Sequence, residues 1–379
     1  MYFTRMVMER EAPAQVGYDR IKYNFMESSV QVLTVKEAGI CPDMDMELQY
    51  TNHMGDPRLR KMIADEHGVG VDNVILSTGS CMALFVVFAT LLRPGDHILI
   101  THPNYMANIH IGRSLGCDVE LFELDIEHKF QPCIEQLKNQ LRKDTKLVNL
   151  TVPHNPSGAM LSAEFLKEAS DICGKNGTHL LVDEAYRDLT MGEFLPHGTA
   201  FGPHVICTDT MSKGLGLPGI RTGWVVCEDA ELVSKFLATK EQISICGSIV
   251  DEDYAYQVML NKQKLLTSIR KDMMERFSIV EKFFHSQDLL EWVAPSGGVV
   301  CLPRIAPKIE LDIDQFYDVL NNKYGVFVGP GRWFEVSPRH FRLGYGGLPK
   351  EKLTEGMSLI LKARSEEHTS ELQSHELIS

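Results

Sequence analysis

Reactive and polar side chains follow the apolar runs of this 379-residue chain at the points where those runs end. An amine, a carboxylate, an amide, a phenol and hydroxyls are among them, the groups used in nucleophilic and acid–base catalysis. If the runs are strands of one parallel sheet, these groups meet outside the strands' carboxyl ends, where such sheets bind ligands. The segments are Gly79-Ser80-Cys81, Pro103-Asn104-Tyr105, Asn155-Pro156-Ser157-Gly158, Asp183-Glu184-Ala185-Tyr186 and Thr210-Met211-Ser212-Lys213.

Lys213 and Asp183 are the two charged groups of this set with the most specific surroundings. Lys213 follows the run VICTDTMS and precedes a glycine-rich turn, an enclosed position where an amine can act as a nucleophile. Asp183 ends the run HLLV, and a charge buried there is costly unless a cation pairs with it. When each residue is considered alone, the alternative for Lys213 is a solvated loop lysine, and the alternative for Asp183 is the N-cap of a helix.

The elements that must position these groups alternate in type from about residue 70 onward. Apolar runs predict strands and the segments between them have helical periodicity, the pattern of βα units that build a mostly parallel sheet. We therefore predict one doubly wound α/β domain. Its predicted strands are 73–76, 97–101, 118–124, 146–152, 179–185, 205–210 and 223–226, and its predicted helices are 80–92, 105–115, 132–140 and 162–176.

Beyond about residue 270 the composition changes to charged helices and short apolar runs, which predicts a smaller α+β domain. Helices are expected at 268–285 and 312–323, and strands at 297–303 and in HFRLGY near residue 342. The predicted division is an N-terminal segment, 1–45, that joins the small domain, a large domain, 46–265, and the small domain, 266–363.

Composition and charge exclude several classes of function. The net charge of −13 and the absence of a dense Lys/Arg block argue against nucleic acid or an anionic membrane as partner. Nine cysteines, spread singly and without a C-x-x-C pair, predict reduced thiols and no metal site. No apolar run reaches the roughly 20 residues of a membrane span, and the start lacks a signal-peptide core, so we expect a cytoplasmic protein.

The last segment, 364–379, differs from the rest of the chain. Its sequence RSEEHTSELQSHELIS has few branched apolar residues and resembles the translation of a sequencing-library adapter. We expect a disordered tail that is an artefact, and a natural acidic tail is the alternative.

Three motifs, NPSG (155–158), DEAY (183–186) and SKGLGLPGIRTGW (212–224), occur in an order and spacing that resemble one family. The chain is identified on them, from about Tyr23 to Ala363, as a member of the class I/II aminotransferases, the fold-type I enzymes that use pyridoxal 5′-phosphate (PLP). The resemblance implies a mostly parallel central sheet between helices and a smaller α+β domain. The glycines of GLGLPG match G-x-G-x-x-G, but Pro218 stands where a dinucleotide-binding helix would have to begin.

The resemblance also implies roles for the residues that hold the cofactor ring. Lys213 would carry PLP as a Schiff base, and Asp183 would pair with the protonated pyridine nitrogen, which makes the ring an electron sink. Asn155 and Tyr186 match the donors to the phenolic oxygen, and Tyr105 matches the aromatic residue that stacks on the ring. An ordinary turn and simple packing are the alternatives for Asn155 and Tyr105.

A second group matches the residues that bind the cofactor phosphate. Gly79-Ser80-Cys81 opens a helix directly after a strand, so free amides would face the anion. Arg221 offers a planar fork, with Thr210 and Ser212 adding hydroxyls; a surface salt bridge is the alternative for Arg221. Tyr50 resembles the tyrosine that reaches the phosphate of a neighbouring subunit, which implies a homodimer with shared active sites.

The implied reaction is ping-pong transamination between an L-amino acid and a 2-oxo acid. Arg342, in HFRLGYG, matches the arginine that binds the substrate α-carboxylate, together with Asn155. The chain departs from the family pattern at Met26-Glu27-Ser28, where Gly-Glu-Pro is usual, and it has no assignable arginine for a distal carboxylate. A C–S β-lyase or another enzyme acting at Cα on the same fold stays the alternative, with a non-catalytic regulator less favoured.

Overall fold

The computed structural model describes residues 2–376, with side chains through Arg364. Most of its strands fall where apolar runs predict them, and every predicted strand of the large sheet is present. The strands are β1 (Tyr23–Phe25), β2 (Val74–Thr78), β3 (His97–His102), β4 (Asp118–Glu123), β5 (Thr145–Thr151), β6 (His179–Asp183), β7 (Val205–Thr210), β8 (Thr222–Cys227), β9 (Leu290–Glu291), β10 (Val300–Cys301), β11 (Arg304–Ile305), β12 (Val326–Pro330) and β13 (Phe341–Gly344).

Helices alternate with the strands of the large sheet and then dominate the carboxyl-terminal third. They are α1 (Val7–Arg10), α2 (Pro13–Val16), α3 (Pro57–His67), α4 (Gly79–Leu91), α5 (Met106–Leu115), α6 (Ile134–Gln140), α7 (Ala163–Asn176), α8 (Met211–Gly214), α9 (Ala230–Ile243), α10 (Ile249–Leu260), α11 (Lys262–His285), α12 (Ile313–Asp318) and α13 (Lys350–Glu376).

The seven-stranded sheet has the order β2-β8-β7-β6-β5-β3-β4, and only β8 runs antiparallel to its neighbours. Successive residues of β6 point to opposite faces, so Leu180 and Val182 pack into one hydrophobic cluster and Leu181 into another. A sheet covered by helices on both faces explains why its strands are continuous apolar runs. The predicted α/β fold is confirmed.

A four-stranded sheet, β1-β12-β13-β10, forms the second body of the chain. The amino-terminal strand β1 pairs in parallel with β12, so residues from opposite ends of the chain share a core that includes Phe25, Val328 and Leu343. Helix α11 begins at Lys262 and crosses the boundary predicted at 265/266. We propose that residues 46–265 form the body built on the seven-stranded sheet, and that residues 1–45 and 266–363 together form the second body.

Three predicted elements differ in the structure. The strand expected over 297–303 is limited to β10, because Gly297 forms an isolated bridge with Thr190 and the chain bends at Gly298 before β10. The helix expected to end at Lys323 is α-helical only through Asp318 and continues as a π-helical turn, Val319–Lys323. Helix α13 continues to Glu376, so the predicted disordered tail is helical as far as the structure describes it; the tail has no proline or glycine to end the helix.

Among the described residues, no helix combines the length and the apolar composition that crossing a bilayer requires.

Candidate active site

One edge of the seven-stranded sheet collects most of the predicted site residues. The strands β2, β3, β5, β6 and β7 end there, and β8 begins there because it runs in the opposite direction. A cavity of about 270 Å³ opens at this edge. The predicted residues that line it are Ser80, Cys81, Tyr105, Asn155, Asp183, Tyr186, Thr210, Ser212, Lys213, Arg221 and Arg342.

Lys213 lies in α8, a single turn that follows β7, and its amine is directed into the cavity. Its Nζ donates a hydrogen bond to Ser28 Oγ at 3.3 Å, and Tyr186 Oη donates to the same oxygen at 2.9 Å. Backbone hydrogen bonds from Val30 N to Lys213 O and from Leu33 N to Gly216 O fix this segment against the lysine loop. Ser28 therefore orients both Lys213 and Tyr186.

The family resemblance implies that the segment Met26-Glu27-Ser28 lies near the substrate, but it gives Ser28 no role toward Lys213. Its signal was indirect, since Met26-Glu27-Ser28 is where the chain departs from its family pattern. Nothing in the local sequence indicates that a serine from the amino-terminal segment contacts a lysine 185 positions later.

Asp183 ends β6 and is buried with no cation beside it in the described part of the chain. Its carboxylate accepts hydrogen bonds from Asn108 Nδ2 and from the Ala185 amide, both at 3.3 Å. Burial raises the pKa of Asp183 to about 6, and these hydrogen bonds offset burial only in part. The carboxylate is therefore able to stabilise a cation that enters the cavity.

A buried network of asparagines supports Asp183 from behind. Asn149 Nδ2 donates to Asn108 Oδ1 at 2.9 Å, and Asn108 Nδ2 is within 3.2 Å of Asn104 Oδ1. Thr151 Oγ1 donates to the same Asn104 oxygen at 3.0 Å. This network was not predicted from the sequence, although an asparagine in the middle of a buried strand, such as Asn149, is a signal that could have indicated it.

The start of α4 forms an anion-binding corner with the residues around β8. Arg221 Nη1 donates to Ser212 Oγ at 3.3 Å, and the hydroxyls of Thr210 and Ser212 are 2.9 Å apart. A Cβ on Gly79 would lie 2.3 Å from Arg221 Nη2, and Gly79 has a φ of +71°. Glycine is thus required there both for the backbone and for the approach of the guanidinium to the free amides of α4.

Tyr105 and Cys81 line the cavity next to each other, and their side chains interact. Tyr105 is the residue before α5, and Cys81 lies in the first turn of α4. Burial raises the pKa of both side chains, so the phenol and the thiol stay neutral near pH 7. They serve as polarisable surfaces, which suits a flat ring lying between them and the opposite wall.

Arg342 reaches the cavity from β13 in the smaller sheet. Its Nη1 donates to Asn155 Oδ1 at 3.0 Å and its Nη2 to the Met26 carbonyl at 2.6 Å, while its buried Nε has no partner in the described residues. The ring of Phe334 lies 5.1 Å from the guanidinium carbon. Asn155, expected to donate to the cofactor, also serves here as an acceptor that orients Arg342.

Tyr50 is the one predicted site residue that does not line the cavity. Its side chain is 81% exposed, in a segment without helix or strand. Within this chain it contacts none of the groups described above.

The amino-terminal helices α1 and α2 close the side of the cavity near Arg342. Met8 is buried in a cluster with Met26, Trp333 and Phe334. Glu9 and Glu27 also line this side. The sequence analysis assigned no role to α1 and α2, because helices of four residues have too little periodicity to be recognised.

The donor set fits PLP. The corner at Arg221 presents a guanidinium, two hydroxyls and free helix amides for a phosphate. Asp183 offers a carboxylate for a ring cation, and Lys213 offers an amine in the same cavity. The unpartnered Nε of Arg342 leaves a donor available for a further ligand. These groups are the ones expected to hold the cofactor.

Comparison with known proteins agrees with this geometry. The profile of the family described as "Aminotransferase class I and II" matches residues 22–360. Capreomycidine synthase of Streptomyces vinaceus is 30% identical over 81% of this chain and 78% of its own length. An aspartate aminotransferase of Pyrococcus horikoshii is 25% identical over 83% of this chain and 82% of its own length.

A solved structure of a PLP-dependent aminotransferase also has this fold. A PLP-dependent aminotransferase from Streptococcus suis superimposes with a TM-score of 0.88 at 26% identity, covering 96% of this chain and 99% of the other.

Proposed function

Because this chain belongs to the class I and II aminotransferase family and is a PLP-dependent enzyme, we propose that it transfers an amino group between an L-amino acid and a 2-oxo acid in a ping-pong reaction. Lys213 is the proposed residue that carries the cofactor and moves the proton at the substrate Cα. The observation that carries this proposal is the convergence of Lys213, Asp183, Arg221 and Arg342 in one cavity.

Each of these residues has one proposed task. When bound, PLP supplies a ring that withdraws electron density from the substrate Cα, and the Asp183 carboxylate stabilises the positive charge on that ring. Arg221, Thr210 and Ser212 hold the phosphate, and Tyr105 packs on the ring.

The substrate is held from the other side of the cavity. The Arg342 guanidinium binds the α-carboxylate as a fork, and its existing hydrogen bonds to Asn155 and Met26 fix its orientation. Ser28, bonded to both Lys213 and Tyr186, keeps the amine near the Cα proton that it removes. The helices α1 and α2 cover this side and limit access of water.

The test is the half-reaction of the purified PLP-loaded protein with a panel of amino acids in the absence of a 2-oxo acid. We expect the bound-cofactor absorbance to change while a 2-oxo acid forms in an amount equal to the enzyme. Lys213→Ala should lower this rate by about 10³-fold or more. The exposed Lys175→Ala, in the last turn of α7, is the matched control and should leave it unchanged.

Two other outcomes would contradict the proposal. Release of pyruvate and ammonia for many turnovers without an acceptor would indicate elimination in place of transfer. No change with any amino acid, in a protein that binds PLP, would reject catalysis at this site.

We also propose that the enzyme is a homodimer whose active sites share Tyr50. The segment 41–50 has no helix or strand and exposes Met44, Leu48 and Tyr50 to 90%, 79% and 81%. Large apolar side chains this exposed and close in sequence favour a covered surface. A tyrosine outside its own cavity is placed to complete that of a second copy.

Mixing two inactive variants tests this sharing. A dimer of Lys213→Ala with Tyr50→Ala has one site with both changes and one fully native site if Tyr50 crosses between subunits. Activity should then recover on mixing under conditions that exchange subunits. If Tyr50 acted within its own chain, or the protein were a monomer, mixing would restore nothing.

We further propose a cytosolic location. All nine cysteines are free thiols, four of them buried, which a reducing compartment preserves. Cell fractionation with an antibody to the untagged protein is the test.

A further inference from the structure

The charges that line the cavity do not balance once the proposed roles are assigned. Three cations line it, Lys213, Arg221 and Arg342, and each has a task toward the cofactor or the α-carboxylate. Of the lining carboxylates, Asp183 serves the ring. Glu9 and Glu27 have no task.

Both unassigned carboxylates lie on the substrate side. Each raises the pKa of the Arg342 guanidinium by its charge, although burial, the larger effect, lowers that pKa. The charge of Glu9 also contributes to the raised pKa of Tyr105, which is mainly due to burial. Within the part of the chain whose side chains are described, neither Glu9 nor Glu27 forms an ion pair or a side-chain hydrogen bond. Their charges are thus available to a ligand.

Glu27 is held in place by its two neighbours. The Met26 carbonyl accepts a hydrogen bond from Arg342 Nη2, and the Ser28 hydroxyl accepts from Lys213 and Tyr186. A Cβ on Gly344 would lie 1.7 Å from the Glu27 carbonyl, so the backbone of Glu27 lies directly on β13. A residue fixed on both sides loses little entropy when its carboxylate binds.

Glu9 is fixed in a similar way at the other wall. Met8 is buried among Trp333 and Phe334. Glu11 accepts hydrogen bonds from Trp333 Nε1 at 2.6 Å and from Arg332 Nη2 at 2.8 Å. These contacts anchor the segment on either side of Glu9, which leaves its exposed side chain at the cavity wall.

The other residues that α1, α2 and their neighbours contribute to the cavity wall are largely apolar. Met8, Ala12, Pro13, Met26 and Trp333 contribute to it. Such a surface suits a chain of methylenes that carries a charged group at its end. A dicarboxylic substrate finds two carboxylates and no unassigned cation among the residues that line the cavity.

From this we infer that the amino-acid substrate has a cationic side chain, an ammonium or guanidinium on an aliphatic stem, bound between Glu9 and Glu27. The inference rests on the proposed aminotransferase function and specifies its substrate class. The distal cation binds the two carboxylates, and Arg342, on the same side of the cavity, binds the α-carboxylate.

The test compares cationic substrates with neutral ones of the same shape. We expect kcat/KM for L-arginine, L-ornithine or L-lysine to exceed that for L-citrulline and L-norleucine by about 10- to 100-fold, the range of a charge-assisted hydrogen bond. L-Aspartate should be poorer still. Glu27→Gln should lower this cation-to-neutral ratio by about tenfold and the exposed Glu9→Gln by less, with the double variant bringing it close to one.

Using a ratio separates recognition from folding and cofactor loading, because both affect the two substrates equally. The matched control is Glu351→Gln, an exposed glutamate in the first turn of α13, which should leave the ratio unchanged. As a non-catalytic readout, calorimetry should show the arginine analogue without its α-amino group binding more tightly than the corresponding citrulline analogue, and Glu27→Gln should remove that difference.

The outcomes are distinguishable. Efficient transamination of neutral or acidic amino acids at the expense of cationic ones overturns the inference and leaves the proposed function standing. A cationic preference that survives in the double variant also overturns it. If no amino acid in the panel is converted, the proposed function fails first.

Discussion

Asp183 and Glu184 are consecutive, fully buried carboxylates whose surroundings have opposite effects. Asp183 faces the cavity at the end of β6, and burial raises its pKa to about 6. The next side chain points to the other side of the sheet. There burial would again raise the pKa of Glu184, but the adjacent His197 lowers it to about 2.

The difference lies in what each carboxylate contacts. Glu184 accepts from His197 Nδ1 at 2.6 Å and from the Gly198 amide at 2.8 Å, so its charge is compensated by the protein itself. Asp183 interacts with uncharged donors, namely the Asn108 amide, the Ala185 backbone N–H and the Thr208 hydroxyl. Uncompensated burial of a charge is costly, and its retention at a cavity indicates that a ligand supplies the counter-charge. We therefore propose a structural role for Glu184 and a functional one for Asp183.

Asp183→Asn should give the largest effect, and it should appear in activity. Asparagine keeps the size, and its single oxygen can keep one of the two hydrogen bonds, but it cannot stabilise a cationic ring. We expect kcat to fall by about 10²- to 10³-fold, the usual cost of removing one preorganised electrostatic partner. The cofactor-free variant should be at least as stable as the wild type in urea. If kcat stays within a few-fold of the wild type, Asp183 does not act on the ring.

Glu184→Gln should give the reverse result. Removing the charge breaks a buried pair and leaves His197 without its partner, which we expect to cost roughly 3 kcal/mol in the free energy of unfolding. The kcat per folded, PLP-loaded subunit should be nearly unchanged, measured below the shifted unfolding transition. A double-mutant cycle with His197→Gln should show coupling between the two residues. A kcat loss comparable to that of Asp183→Asn would remove the distinction between the two carboxylates.

The two carboxylates should also stabilise the cofactor-free protein in separate pH ranges. The pKa of Asp183 is raised from 3.8 to about 6, so the folded state binds more protons than the unfolded state between these values, and stability falls as pH rises. The pKa of Glu184 is lowered from 4.5 to about 2, so its contribution is present above pH 4.5 and is lost as pH falls below it.

Urea unfolding between pH 4.5 and 7 isolates the first contribution. As pH rises across this range, the free energy of unfolding of Asp183→Asn should increase relative to that of the wild type by on the order of 2 kcal/mol, because the variant has no proton to lose at this position. Buried histidines such as His154 titrate in both proteins, so their contribution to the pH dependence of stability cancels in the comparison. Saturation with PLP should abolish the gain. A difference that is constant with pH would show that Asp183 is not the titrating group.

The large sheet and its reactive edge could be predicted because their signals are local. Strands buried on both faces are apolar runs, and the residues after them include Lys213 and Asp183. Residues brought in by tertiary structure could not be found this way. Ser28, Glu9 and Glu27 reach the cavity only because β1 pairs with β12 and α1 packs on Trp333.

Two further features of the structure, one missed strand and one contact of Asn155, were not indicated by the local sequence, while the predicted roles of Asn155 toward the cofactor and the substrate stay predictions. The strand β12 is short and follows a helix that ends in a π-helical turn, so its apolar residues were not recognised as a strand. Asn155 was assigned to the cofactor from its motif, and its acceptor role toward Arg342 depends on a contact 187 positions away. Sequence patterns predict elements and their ends well, and they do not predict contacts between elements.

The smallest effect we predict concerns Asn108, the residue through which the asparagine network reaches Asp183. Asn108→Ala removes the side-chain donor to the carboxylate and leaves Asn149 Nδ2 without its acceptor. The pKa of Asp183 should rise further, because one of the groups that lower it is lost. We expect kcat at neutral pH to fall by about tenfold, the value of one hydrogen bond to a charged group, and the acid limb of the pH profile to move to higher pH.

Asn176→Ala, which removes a surface asparagine with two hydrogen bonds of its own, should change stability slightly and leave the profile in place. A profile that does not move in Asn108→Ala would mean that the network only supports the strands, and that the ionisation of Asp183 is set by burial and the cofactor alone.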